Sequence, residues 1–337
     1  MNSFGRIFRI HIFGESHGES AGMVIDGCPA GLSLVVDDFL PDMERRKGGT
    51  QKGTTPRQEE DLPIFKSGIF NNITTGAPIT ILFENKNIRS SDYEKQRAVP
   101  RPGHADFVAH KKFGGFEDYR GSGHFSGRLT VALVAAGVVA KKLLNSGKSG
   151  SEKISVESSI LEIGGEKDLE KGLQKAIDAK DSIGGIIECR TAGLPVGLGE
   201  PFFDSAESLI SHIVFAIPAV RGIEFGTGFP AAKMFGSEHN DAIENTNGHT
   251  RTNNAGGIVG GLTNGNELVF RIAIKPTSST PKEQNTLNWE TGRMENFSVK
   301  GRHDLCIALR VPVILEAVTA IALADLMMLE GRIPRIL

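Results

Sequence analysis

Three segments of this chain set titratable side chains among glycines and cations, the surroundings in which acid–base chemistry on an anionic molecule is done. His17 sits in Gly14-Glu15-Ser16-His17-Gly18 at the exit of a predicted strand, where a side chain has little freedom. An imidazole there titrates near neutral pH and suits a general acid. His104 lies between Arg101 and Asp106 and has similar standing. Asp304, flanked by Arg302 and His303, is a candidate base. For the histidines the competing reading is a structural side chain, and for Asp304 a salt-bridged structural carboxylate.

Other stretches are suited to gripping phosphate or carboxylate. Residues 44–57, ERRKGGTQKGTTPR, gather five cations (Arg45, Arg46, Lys47, Lys52 and Arg57) among glycines and threonines. Residues 275–280, KPTSST, end a predicted strand with a lysine and four hydroxyls. Gly114, Gly115, Gly121 and Gly123 lead to Ser126, a good N-cap, after which apolar residues recur at helical spacing. Such an approach presents unpaired N–H groups and a positive dipole end to an anion. No phosphate-binding Walker loop, dinucleotide fingerprint or nucleophile elbow is present.

The elements that hold these residues occur twice. Arg6 to Phe13 reads as a strand, a second lies near Met23 to Asp26, a Gly-Pro-Gly turn follows at 27–32, and Asp37 or Asp38 caps a short helix. A constant offset of 166 then pairs Glu15 with Asp181, Ser16 with Ser182, Gly27 with Gly193, Pro29 with Pro195, Gly31 with Gly197, Leu32 with Leu198 and Asp38 with Asp204. Asp204 with Glu207 forms a capping box for a helix through Phe215. Residues 67–86 align with 256–275, each a strand, a tight turn and a strand, with Asn264-Gly265 as the second turn. Long apolar helices are predicted at 126–144 and 312–328. The chain therefore reads as α+β, with two like halves, roughly 6–144 and 154–330, packed as one unit, and 145–153 as a flexible bridge. His17 and the run Arg45-Arg46-Lys47 have no counterpart in the second copy, which suggests a site on one copy only.

Composition narrows the function classes. A net charge of −2 and 7% aromatic residues disfavour a nucleic-acid binder, which wants net positive charge and stacking aromatics. Three cysteines in no metal spacing fit small core residues in a reducing cytoplasm, and no metal site is expected. The apolar stretch Val311–Leu329 carries Glu316 and Asp325, so no membrane span is expected, and no apolar signal core opens the chain.

Taken together, GESHG, RPGHAD, RGSGHFSGRLT, AIPAVRGIEFGTGF, TNNAGGIVGGLTNG, KPTSST and GRHDLC resemble the chorismate synthase family, in this order and over nearly the whole chain. The resemblance implies one domain over 1–337, a β-α-β sandwich with internal pseudo-symmetry, and a homotetramer. It implies anti-1,4-elimination of phosphate from 5-enolpyruvylshikimate 3-phosphate to give chorismate, with reduced FMN and no net redox change. A separate flavin reductase drawing on NADPH is implied, since the chain has no long insertion. The family's active-site residues fall on His17, which would protonate the departing phosphate, His104, which would protonate the reduced flavin, and Asp304, which would work with flavin N5 on the ring proton. Its FMN pattern maps onto His124, Phe125, Ser126, Pro218, Ala219, Gly260, Lys275, Pro276, Thr277, Ser278, Ser279 and Arg302. Arg46 and Lys52 match positions for a phosphate-bearing or nicotinamide ligand. Ser16, Arg45, Lys47 and Arg101 would meet the substrate. Two departures stand out: Lys47 and Lys52 replace the usual arginines and lose the bidentate fork, and HFSGRLT replaces Arg-Ser-Ser-Ala-Arg-Glu-Thr. The alternative activity is a flavin-dependent oxidoreductase on the same scaffold.

Overall fold

The computed structural model describes residues 2–49, 52–57, 59–88, 97–146, 153–299 and 303–337; Arg302 and most of the 145–153 bridge lie outside these. The first half runs β1 (Ser3–Phe4), β2 (Arg9–Gly14), β3 (Ser20–Asp26), α1 (Leu40–Arg46), β4 (Ile64–Ser67), a miniature hairpin β5 (Ile69–Phe70) and β6 (Ile73–Thr74), β7 (Ile79–Glu84), α2 (Asp106–Phe113) and α3 (Thr130–Leu144). The second runs β8 (Ser155–Ile163), α4 (Leu169–Ala179), β9 (Gly185–Ala192), α5 (Ala206–Val214), β10 (Val220–Phe225) and α6 (Gly236–His239). It continues with a hairpin β11 (Ile258–Val259) and β12 (Leu262–Thr263), then β13 (Leu268–Ile274), a hairpin β14 (Gln284–Asn288) and β15 (Arg293–Phe297), and α7 (Val311–Leu329). The class is α+β.

Two antiparallel sheets carry the main strands, in the orders β1-β2-β3-β7-β4 and β10-β13-β9-β8. Setting β1 aside, both follow one connectivity: β2-β3-β7-β4 in the first corresponds to β8-β9-β13-β10 in the second. The stitching bonds also repeat. Thr74 Oγ1 donates to Pro29 O at 2.6 Å and accepts the Leu32 N–H at 3.0 Å. Thr263 Oγ1 does the same with Pro195 O at 2.7 Å and Leu198 N–H at 2.9 Å.

Alternation dictates which face of each strand is inside: Ile79, Ile81 and Phe83 on β7 are fully buried while Thr80 and Leu82 between them are not. The helices are different. α3 and α7 are apolar around nearly their whole circumference, so each must be covered on all sides. α3 packs on β2 and β3, α7 packs on β8 and β9, and the two helices pack on each other. Their approach is set by Gly137, where a Cβ would collide with the Cα and Cβ of Ala317. The two acids of α7 are consumed inside: Asp325 accepts the backbone N–H groups of Arg6, Ile7 and Phe8 at 2.8–2.9 Å, and Glu316 accepts both arms of Arg45 at 2.6 and 2.7 Å. This helix is long and apolar enough to cross a membrane, but most of it is buried within the protein. Burial also pushes the thiols up, Cys28 to about 12 and Cys189 and Cys306 to about 11, so none serves as a nucleophile at neutral pH.

Several local expectations need correction. Neither Asp37 nor Asp38 caps α1, whose N-cap position is Phe39; the Asp38 carboxylate instead takes the Val35 N–H and pairs with Lys142. Ser205, not Asp204, caps α5, because Asp204 lies a residue too early and pairs with Arg6. The tight turn of the second hairpin is Gly260-Gly261, both at positive φ, while Asn264-Gly265 leads from β12 to β13, which do not pair with each other. α3 starts at Thr130, since Ser126 caps a single tighter turn over 127–129 ahead of it.

The close crossing predicts that Gly137→Ala overpacks the α3–α7 contact and lowers unfolding free energy by about 1–3 kcal/mol. Gly236→Ala, whose Cβ would meet nothing within 4 Å, serves as control. Denaturant midpoints measure both, and equal midpoints for the two variants contradict this packing.

Candidate active site

Both long helices begin at one cavity. Its volume is about 910 Å³, toward the upper end of the ~300–1,000 Å³ usual for small-molecule sites. Its walls come from both halves: Leu129, Thr130 and Leu133 at the start of α3, Arg310, Val311 and Ile314 at the start of α7, Ile10 and Ile12 of β2, Ile213 at the end of α5, and the loops before β10 and after β13. Helix amino ends bring unpaired N–H groups and partial positive charge. To these the described residues of the lining add eight Lys or Arg side chains against three carboxylates. One wall is apolar, with Ile213, Ile217, Pro218, Val311 and Ile314, and such a mixed enclosure suits a ring-bearing, phosphorylated molecule.

The cations are held in place before any ligand arrives. Asp61, fully buried, accepts Arg46 Nη2 at 2.6 Å through one oxygen and Arg128 Nη1 through the other. Burial alone would raise the Asp61 carboxyl, but the two guanidiniums hold it below the usual carboxylate range. Arg46 also reaches Thr130 Oγ1 at 3.2 Å, so this triad joins the basic segment to the start of α3 with a net positive charge. Arg57 is fixed by Glu59 at 2.7 Å and reaches Ser16 Oγ at 3.2 Å. Asp304 accepts the Thr55 N–H at 2.8 Å and pairs with Arg310 at 3.0 Å.

His104 and Asp304 both line the cavity. His17 is buried directly behind the lining: a Cβ on Gly121, which does line it, would come within 2.6 Å of His17 Nε2. Gly121 at φ +57° is therefore required both by the backbone and by the imidazole against it. Ser16 lines the cavity one residue earlier. His104 Nδ1 lies 2.6 Å from Asp106 Oδ1.

Among the residues expected to hold a cofactor, Arg46, His124, Phe125, Ser126, Pro218, Ala219, Lys275, Thr277, Ser278 and Ser279 line the cavity, as do Lys47 and Arg101 of the substrate set. His124 Nδ1 is committed to Gly14 O at 2.8 Å. Ser126 accepts the Arg128 N–H at 3.3 Å, and Ala219 holds φ +75°, a costly conformation for a residue with a side chain. Lys275 Nζ donates to Ser278 Oγ at 2.7 Å and Gly103 O at 3.2 Å, latching the loop after β13 to the one carrying His104. Burial, then Arg221, pulls the Lys275 ammonium below its ordinary value. Thr277 Oγ1 and Arg46 Nε, buried polar atoms of two lining residues, have no partner among the described residues, as donors kept for a bound oxyanion would.

Other expected residues are not brought to the cavity. Arg45 turns away to Glu316, Lys52 is exposed with its Nζ on Gln174 at 3.2 Å, and Pro276 and Gly260 are not among the lining residues. Arg57, one of the five cations of the basic segment, lines it, and Glu59, Asp61, Arg128, Arg221 and Arg310 were missed and do line it. A signal existed for two of them: Arg128 and Arg310 are cations just ahead of helices that are apolar over most of their length, where a charge must find a ligand or a carboxylate.

Removing the shared carboxylate isolates its two cations, so Asp61→Ala is expected to cost about 3–5 kcal/mol of stability at neutral pH. Because the folded-state carboxyl is depressed, the wild-type advantage holds above the ordinary aspartate value near ~4 and fades as pH falls below it. Urea unfolding from pH 7 to pH 3 measures this; a gap between the two proteins that does not change with pH contradicts it.

Comparison with known proteins identifies the family. Residues 8–328 match the family described as chorismate synthase. A chorismate synthase from Chitinophaga pinensis is 69% identical over 100% of this chain and 99% of its own length. One from Dehalococcoides mccartyi is 45% identical over the same shares. A solved structure described as chorismate synthase superposes with a TM-score of 0.72 at 24% identity, covering 97% of this chain and 93% of the other, and shares its fold. The chain belongs to the chorismate synthase family.

Proposed function

We infer that this protein is a lyase of the shikimate pathway that eliminates phosphate from 5-enolpyruvylshikimate 3-phosphate to form chorismate. One observation carries the site assignment: His104, Asp304 and Ser16 share a cavity whose cations outnumber its carboxylates by eight to three. The elimination breaks a C–O bond to phosphate and a ring C–H bond, so negative charge must be received at one place and a proton at another. Arg46 and Lys47, with the amino ends of α3 and α7, bind and orient the anionic groups. His17, behind Gly121 and next to Ser16, supplies the proton to the departing phosphate. Asp304, fixed by Arg310 and the Thr55 N–H, faces the ring proton.

The cofactor is reduced flavin, and we assign it as FMN. When bound, it lends electron density to the substrate as phosphate leaves and recovers it as the proton goes. The apolar wall at Ile213, Ile217 and Pro218 fits a flat ring system, and the orphaned Thr277 Oγ1, with Lys275 and Ser278, fits a phosphate. NADPH acts at a distance, through a separate flavin reductase. His104 is assigned to protonation of the reduced flavin.

We also read the molecule as one domain over 1–337, a β-α-β sandwich of two duplicated halves. The shared strand connectivity and the repeated Thr74 and Thr263 bonds support this reading. The assembly is taken to be a cytoplasmic homotetramer. Gly260, Pro276, Lys52, Arg45 and Arg302 remain proposed contacts of the bound or assembled state.

Anaerobic turnover with photoreduced FMN, following chorismate absorbance and flavin oxidation state together, tests the assignment. Chorismate should form with the flavin still reduced at the end, and His17→Ala and His104→Ala should each slow turnover by roughly 10²-fold or more. Asp304→Asn should bind flavin and lose rate. Stoichiometric flavin oxidation would instead favour the oxidoreductase, and near-wild-type rates in the histidine variants would remove both from the mechanism.

A further inference from the structure

Asp106 does not line the cavity, yet every acceptor site it has is occupied. Its Oδ1 receives His104 Nδ1–H at 2.6 Å and Arg101 Nη2–H at 2.7 Å. Its Oδ2 receives Arg101 Nε–H at 2.7 Å and the Arg101 backbone N–H at 3.0 Å. A carboxylate has about four lone-pair sites, and these four bonds fill them. Such a group has no room for a proton of its own. Burial would raise the Asp106 carboxyl, but the bonds from Arg101 and His104 hold it far below the usual carboxylate range.

The donors of Arg101 are almost equally spent. Beyond the two bonds to Asp106, Nη1 reaches Ser279 Oγ at 3.1 Å and Nη2 reaches Ser122 Oγ at 2.9 Å. Four of the five N–H groups a guanidinium carries are thereby used. Nη2 also lies 3.1 Å from His104 Nδ1. Both Nη2 hydrogens already have oxygen partners, and the carboxylate at 2.6 Å requires hydrogen on Nδ1, so that third contact is an approach of two donors.

We propose that Asp106 is the positioning residue of His104: it fixes the imidazole with hydrogen on Nδ1 and leaves Nε2 as the atom that exchanges a proton in the cavity, while Arg101 clamps Asp106. The functional half of this rests on His104 being an active-site acid, as read above. The competing role for Asp106 is to anchor the amino end of α2, which it opens. The roles differ in what they do to the imidazole. An anchor lost would loosen α2 and weaken ligand binding, whereas a lost positioning group would scramble the tautomer and slow chemistry with binding kept.

Nitrogen-15 spectra of the histidine-labelled wild-type enzyme read the tautomer without any variant or turnover. The neutral His104 ring should show a protonated Nδ1 and a bare Nε2; the opposite tautomer overturns the proposal. In steady-state assays, Asp106→Asn should lower kcat by roughly 10²-fold or more while substrate KM stays within about threefold, and Asp106→Glu should recover at least about tenfold of that loss. Arg101→Lys, which keeps charge but loses the fork, should likewise act on kcat and not on KM. A tenfold or larger rise in KM with kcat unchanged, in either Asp106→Asn or Arg101→Lys, overturns it. His104→Ala separates the two layers: wild-type turnover in that variant ends the assignment of His104 itself, and the spectrum still decides the contact with Asp106.

Discussion

The contact between α3 and α7 is the constraint on which the rest depends. Two helices that are apolar all round cannot face water, and each gains full burial only by lying against the other with a sheet on its far side. Gly137 against Ala317 lets them come close enough for that. Their amino ends then meet at the same cavity, and with them Arg128 and Arg310, the cations that precede each helix. The site is thus a by-product of how the core closes, in the sense that no separate element is needed to bring the two halves of the chain to it.

Charge in that cavity is arranged in advance. Buried guanidiniums are costly alone, so each is tethered: Arg46 and Arg128 to Asp61, Arg57 to Glu59, Arg310 to Asp304, Arg101 to Asp106. The pairing is incomplete. Asp61 serves two cations, and Arg221 and Lys275 add more positive charge to the same walls. An excess of fixed positive charge stabilises developing negative charge without reorganising when it appears, the arrangement expected for expulsion of phosphate.

Sequence patterns revealed the elements better than their ends, and the loops better than their side-chain partners. The constant offset between Pro29 and Pro195 or Leu32 and Leu198 is legible because both segments make the same pair of bonds, to Thr74 and to Thr263. His104 and Asp304 could be picked out because their segments mix titratable groups with cations and glycine. Arg45 could not be told from Arg46 by type or spacing. They are adjacent on α1, so they point different ways, one to Glu316 and the other to Asp61 at the cavity. Asp61 was illegible for a related reason: its partners Arg46 and Arg128 lie 15 and 67 residues away along the chain, and only the fold supplies them. The caps at Phe39 and Ser205 went to neighbours of the expected aspartates because those carboxylates had stronger partners in Lys142 and Arg6.

The central claim is that one cavity, headed by the amino ends of α3 and α7, holds both phosphorylated ligands at once. A crystal structure with 5-enolpyruvylshikimate 3-phosphate and FMN bound tests it most directly. The account predicts both phosphates within this enclosure, one in reach of Arg46 and the other of Thr277, with His104 Nε2 facing the ligands. Ligand density lying outside this cavity, with Arg46, Thr277 and His104 untouched, would contradict it.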